Sequence, residues 1–262
     1  MSDWLLFDPL FRLPFLTGLC LAVALPMVGA LLRARDEWLA ALGLVHVAAA
    51  GTVLSGPLHL PALLTASLAA SLAVVLRLFI PRPDNAHFGV MILIGWSGAL
   101  LLAGFVPHGH VTGESLMRGQ LYFTHSVHLV GAVMLLVLVL VSMGWLQPRV
   151  LRERLFPDWY SANRIPAWPH RVLFGALVVA ASVLGTVAMG AFAAFALLFV
   201  PPWVAFGLMH GWQRALLLSA GLGALAYVLA FVGAMLLDQP FGPTLVLILA
   251  MFSALRLAPR AR

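Results

Sequence analysis

Nine histidines are the residues of this sequence best suited to chemistry, and their spacing divides them into two kinds. His125 and His128 stand three apart, so a helix would present both on one face. His108 and His110 flank Gly109, and His59 follows a short Ser-Gly-Pro turn. His46 instead stands alone in the apolar run LGLVHVAAAG. Neutral imidazole is a good ligand for zinc, copper and nickel, which makes His46, His59, His108, His110, His125 and His128 candidate metal ligands. The ordinary alternative is a packing histidine at position 46 and interfacial histidines elsewhere. At helical spacing, His46 shares its face with Gly43, Ala49 and Ala50, small neighbours that favour a packed interface or pathway wall over a lipid-facing surface.

The elements that must position these residues follow from composition. Of 262 residues, 63% are hydrophobic and 9% charged, with mean hydropathy +1.03. A soluble domain would carry roughly 25% charged residues, so the solvent of this chain is mostly lipid. Apolar runs cover about Phe11 to Leu32, Trp38 to Leu54, Leu60 to Ile80, Phe88 to Val106, Leu129 to Leu146, Val172 to Met189, Ala191 to Phe206, Ala215 to Leu237 and Thr244 to Leu257. The seventh is expected to be interrupted by Pro201 and Pro202, and the last is short for a full span. The first lacks a basic leader and an evident cleavage site, and reads as a retained span. This predicts an all-α polytopic bundle of eight to nine spans, with residues 1–262 forming one membrane domain.

All fifteen basic residues are arginine. With alternating spans, thirteen fall on one side and only Arg12 and Arg118 on the other, which predicts an outer N-terminus and a cytoplasmic C-terminus. His59, His108, His110, His125 and His128 then lie at or near the outer side. The net charge of +6 is therefore positive-inside patterning rather than a nucleic-acid surface. The longest internal segment, residues 147–171, contains Asp158, Trp159, Tyr160, Ala162 and Arg164.

What is missing narrows the chemistry. Without a lysine the chain has neither a P-loop nor a Schiff base. The single Cys20 allows no internal disulfide and no cysteine-rich zinc site. All nine carboxylates stand in polar breaks or at the ends of apolar runs. Ion-coupled carriers usually keep ionisable groups within the membrane, so energy from a separate ATPase is the better expectation. A stand-alone secondary metal carrier is the alternative, and an intramembrane enzyme a more distant one. No catalytic constellation is evident.

Several motifs resemble those of the permeases of zinc/manganese/iron ABC-uptake transporters. The most specific is the turn before the last run, Leu237, Asp238, Pro240, Gly242 and Pro243. The proline-interrupted FALLFVPPWVAFGL, the entry Asp84, Ala86 and Gly89, and the segment from Gly119 to Leu129 are also similar in kind and order. Family members carry Asp and His four residues apart in the second span, followed by Gly. Here His46 and Gly51 remain and Leu42 takes the Asp position. The resemblance implies a non-catalytic permease in a bacterial cytoplasmic (inner) membrane. It also implies a second permease copy, a cytoplasmic ABC ATPase that binds the ATP, and an extracytoplasmic metal-binding protein. The cargo implied is a divalent metal, zinc ahead of manganese given many histidines and few carboxylates. No cofactor in this chain is implied. Residues 147–171 would hold the coupling helix, with Asp158, Trp159, Tyr160, Ala162 and Arg164 at the ATPase.

Overall fold

The computed structural model describes residues 9–78, 85–105 and 121–256. His108, His110, Asp84 and Glu114 lie outside them. In lipid, each backbone N–H and C=O must be satisfied within the protein, so apolar runs become helices. α1 is Pro9–Arg35, α2 Trp38–Val53, the single turn α3 Ser55–Leu58, α4 Ala62–Leu78 and α5 Asn85–Phe105. After a 3-10 turn, Leu121–Phe123, come α6 (Ser126–Leu155), α7 (Trp159–Ala162) and α8 (Trp168–Met189). The chain continues through α9 (Ala191–Leu208), α10 (Trp212–Leu236) and α11 (Phe241–Ser253). No strand occurs among the described residues, and the fold is the expected all-α membrane bundle.

Helices α1, α5, α6, α8, α9 and α10 are long and apolar enough to cross a membrane, while α2, α4 and α11 are shorter apolar helices. The 13 residues of α11 reach only about 20 Å. α1 forms the centre, against α6, α8, α9 and α10, with Leu21, Leu25, Val28 and Leu31 wholly buried. α2 joins this core to α4 and α5. α5 packs chiefly on α2 and turns Leu93, Ile94 and Leu101 outward, where lipid tails are as good a neighbour as protein.

Two expectations are corrected. Pro201 and Pro202 do not interrupt α9, which runs through them with both buried. Pro202 has no N–H for the Leu198 carbonyl, and that carbonyl faces Gly29 of α1, where a Cβ would collide with it. Pro26 of α1 shows the same arrangement, with the Ala22 carbonyl against Gly223 of α10. At Pro26 and Pro202 the freed carbonyl is thus met by a glycine on the neighbouring helix. The break between the sixth and seventh runs lies at Gly190, between Met189 and Ala191 as expected, and its φ of 93° and ψ of 158° suit glycine alone.

The polar segment 147–171 is the second correction. Its first nine residues continue α6 to Leu155, because Leu146, Val150 and Glu153 share one face and turn it inward.

Among the described residues, four non-glycine residues have positive φ: Asp36, His59, Arg164 and Asp238. Each closes a helix in the same way. The next residue's N–H donates to a carbonyl five back, Glu37 to Leu32, Leu60 to Ser55, Ile165 to Tyr160 and Gln239 to Ala234, at 2.9–3.1 Å. The turn of Asp238 accounts for the Leu-Asp-x-Pro motif, since Pro240 follows as the N-cap of α11.

Candidate functional site

His46 lies mid-way along α2 and is 6% exposed. Its Nδ1 is 2.7 Å from the Leu42 carbonyl oxygen. A carbonyl only accepts, so Nδ1 carries the hydrogen, and in the neutral imidazole Nε2 keeps the lone pair that a metal would use. The ring centroid is 5.3 Å from that of Trp96 on α5 and 6.4 Å from that of Phe192 on α9. Gly95 lets α5 approach this closely, because a Cβ there would lie 2.7 Å from the Val47 nitrogen and 2.9 Å from the His46 Cβ. Trp96, Gly95 and Phe192 are absent from the sequence-based candidates. Only the small-residue face of α2 signals that something packs there.

No three His, Cys, Asp or Glu side chains converge into a metal-binding group among the described residues. His125 caps α6, and its N–H donates to His128 Nδ1 at 3.1 Å, a capping box with imidazole in the usual place of Glu. Their ring centroids are 6.1 Å apart. His59 is exposed and occupies the left-handed position that ends α3.

The arginine-rich end holds a different arrangement. Glu153 of α6 receives Arg35 Nη1 at 2.8 Å and His170 Nε2 at 3.0 Å on one oxygen, and Arg171 Nη2 at 2.6 Å on the other. Arg35 also reaches Glu37 at 3.1 Å, and Glu37 takes Arg77 at 2.7 Å. Glu153 lies beyond the apolar part of α6. Burial would raise its pKa, but Arg35, His170 and Arg171 together hold it below the usual carboxylate value.

The residues of segment 147–171 divide by exposure. Asp158, Ala162 and Arg164 are exposed and Trp159 is half-buried beneath Arg152, 4.3 Å from its ring centroid. Tyr160 is turned inward and lies over His170 with ring centroids 4.7 Å apart. Exposed apolar residues surround this turn, Phe156, Ile165 and Trp168 among them.

The profile of the ABC 3 transport family matches residues 8–258. The chain belongs to that family. It is the family of membrane permeases that the Leu237–Pro243 turn resembles. PsaBC from Streptococcus pneumoniae in complex with Fab is similar in fold to this ABC-3 permease at TM-score 0.84 and 18% identity, over 99% of this chain and 95% of that one. A structure described as an inward-facing conformation of a metal-chelate type ABC transporter is similar at TM-score 0.73 and 15% identity, over 96% of this chain and 89% of that one. No curated protein matches the sequence.

Proposed function

We propose that this ABC-3 permease provides the alternating-access pathway of an ATP-driven importer of a divalent transition metal, with zinc ahead of manganese. In this reading nine helices span a bacterial inner membrane, with the N-terminus outside and the arginine-rich end in the cytoplasm. Two copies of the chain pair with two ATPase subunits, and an extracytoplasmic binding protein delivers the metal.

The observation that carries the reading is His46. Its Nδ1 is engaged by the Leu42 carbonyl and its ring lies inside the bundle between Trp96 and Phe192, leaving Nε2 as the nitrogen open to a metal in a chain of a transport family. Leu42, one turn away, offers only its backbone carbonyl, already occupied by Nδ1. One imidazole without a carboxylate suits a brief contact with a borderline cation better than tight storage, and a transported ion must leave again. His125 and His128, with His59, His108 and His110, are the proposed receiving group on the outer side. The exposed Asp158, Ala162 and Arg164, with half-buried Trp159, form the proposed ATPase-docking turn.

Metal uptake in cells expressing the chain with its ATPase tests this directly. His46→Ala is expected to abolish zinc uptake at unchanged membrane abundance and unchanged ATPase association. Wild-type uptake by that variant would reduce His46 to a packing residue. Uptake by the chain without any ATPase would replace the ABC mechanism with a secondary carrier.

A further inference from the structure

A single contact path crosses the arginine-rich end from α7 to the helices around His46. Tyr160 of α7 lies on the His170 ring at 4.7 Å, and His170 Nε2 donates to Glu153 at 3.0 Å. Glu153 binds Arg35 at the end of α1, and Arg35 binds Glu37 at the start of α2. Glu37 binds Arg77 in the last turn of α4, and the Arg77 guanidinium lies 5.2 Å from the Phe88 ring centroid on α5. Six helices, α8, α6, α1, α2, α4 and α5, therefore connect to α7 through one chain of ring contacts and ion pairs. Only Asp36 separates Arg35 from Glu37, so α1 and α2 are closely linked there. His46 follows Glu37 by nine residues, roughly 14 Å along a rigid helix.

We infer that Glu153 is the positioning residue that transmits movement of the docking turn to α2, and so links ATP hydrolysis to passage of metal at His46. The inference rests on the proposed permease function. Three features favour transmission over a purely structural clamp. Arg35, Glu37, Arg77, Glu153 and His170 are half-buried or buried, so their attractions are screened far less than those of a surface pair. Glu153 is their hub: it binds α1 directly and α8 through His170 and Arg171, whereas Glu37 serves α1 and α4. The network also has spare capacity. Glu37 Oε2 is buried without a hydrogen-bond partner, and a cavity of about 150 Å³ adjoins Arg35, Glu37, Glu153 and Arg154. Arg35 is held by Glu37 Oε1 through Nε and by Glu153 Oε2 through Nη1, and Glu37 Oε2 beside the cavity offers a further acceptor to which the network can shift, as a two-position element requires.

The test uses the permease co-purified with its ATPase and reconstituted in liposomes, with its extracytoplasmic metal-binding protein supplied on the outer face. Uptake of zinc chloride, and separately manganese chloride, is measured beside ATP hydrolysis. ATP-dependent uptake by the wild type must be seen first; its absence overturns the permease reading itself. Glu153→Gln is expected to retain the ATPase and hydrolyse ATP, while metal transported per ATP falls about tenfold, near the upper range of such coupling effects. His170→Phe keeps a ring against Tyr160 but loses the bond to Glu153, and is expected to lower the same ratio. The double variant should be no worse than the poorer single one. An unchanged ratio in either single variant, when assembled, overturns the inference. Failure of both variants to assemble also overturns it, in favour of a structural clamp.

Discussion

Gly95 of α5 lies against the backbone of His46 on α2, so closely that a Cβ there would sit 2.9 Å from the His46 Cβ. This contact sets how near Trp96 comes to the imidazole, and so defines the pocket. Gly95→Leu is expected to force the helices apart and cost about 2 kcal/mol or more, as overpacking does. Gly98→Ala, whose Cβ would meet the Ala50 Cβ at 4.0 Å and nothing closer among the described residues, should stay within about 0.5 kcal/mol of wild type. Thermal unfolding in detergent measures both.

Asp238 tests whether the signature turn supplies conformation or a ligand. Its φ is 50°, and the Gln239 N–H closes the turn on the Ala234 carbonyl at 3.0 Å. Asparagine and glycine tolerate that conformation, so Asp238→Asn and Asp238→Gly are expected to preserve both melting temperature and uptake. Asp238→Val should lose roughly 1–2 kcal/mol. Loss of uptake in Asp238→Asn with unchanged melting would make the carboxylate itself functional.

Glu153 predicts an acid limit to stability. Its folded pKa lies below the ordinary 4.5, so through that window the unfolded chain binds more protons than the folded one. Stability must then rise with pH there. The contribution is complete above about 4.5 and is lost as pH falls through the lower folded value. Melting temperature against pH should show a fall on acidification that is shallower in Glu153→Gln. Identical slopes in both proteins would place the acid sensitivity elsewhere.

The proposed docking turn divides into an outward and an inward set. Ile165 and Trp168 are 44% and 67% exposed, whereas Tyr160 is buried. The double substitution of Ile165 and Trp168 by Asp is expected to weaken ATPase retention by about 2 kcal/mol or more, as loss of interface anchors does. Tyr160→Phe forfeits only a 3.4 Å bond to the Arg149 carbonyl and should retain the ATPase. Co-purification at equal permease abundance distinguishes the two. Equal retention by the Asp variant would move the docking face away from α7.

Local sequence was enough for the helical class, the apolar runs, the small-residue face of His46 and the turn residue Asp238. These properties depend on hydropathy, on helical period and on backbone preferences carried by residues a few positions apart. The partners of those residues were a different matter. Arg35 and Glu153 are separated by 118 positions, and nothing in either segment names the other. The same holds for Gly29 opposite the carbonyl freed by Pro202, which lets α9 pass unbroken where its prolines predicted interruption. Tyr160 reads as a docking aromatic from its neighbours in sequence, yet packing against His170 turns it inward. Whether an ionisable or aromatic side chain faces a partner, lipid or another helix depends on which distant surface covers it, and only chain folding brings that surface into place.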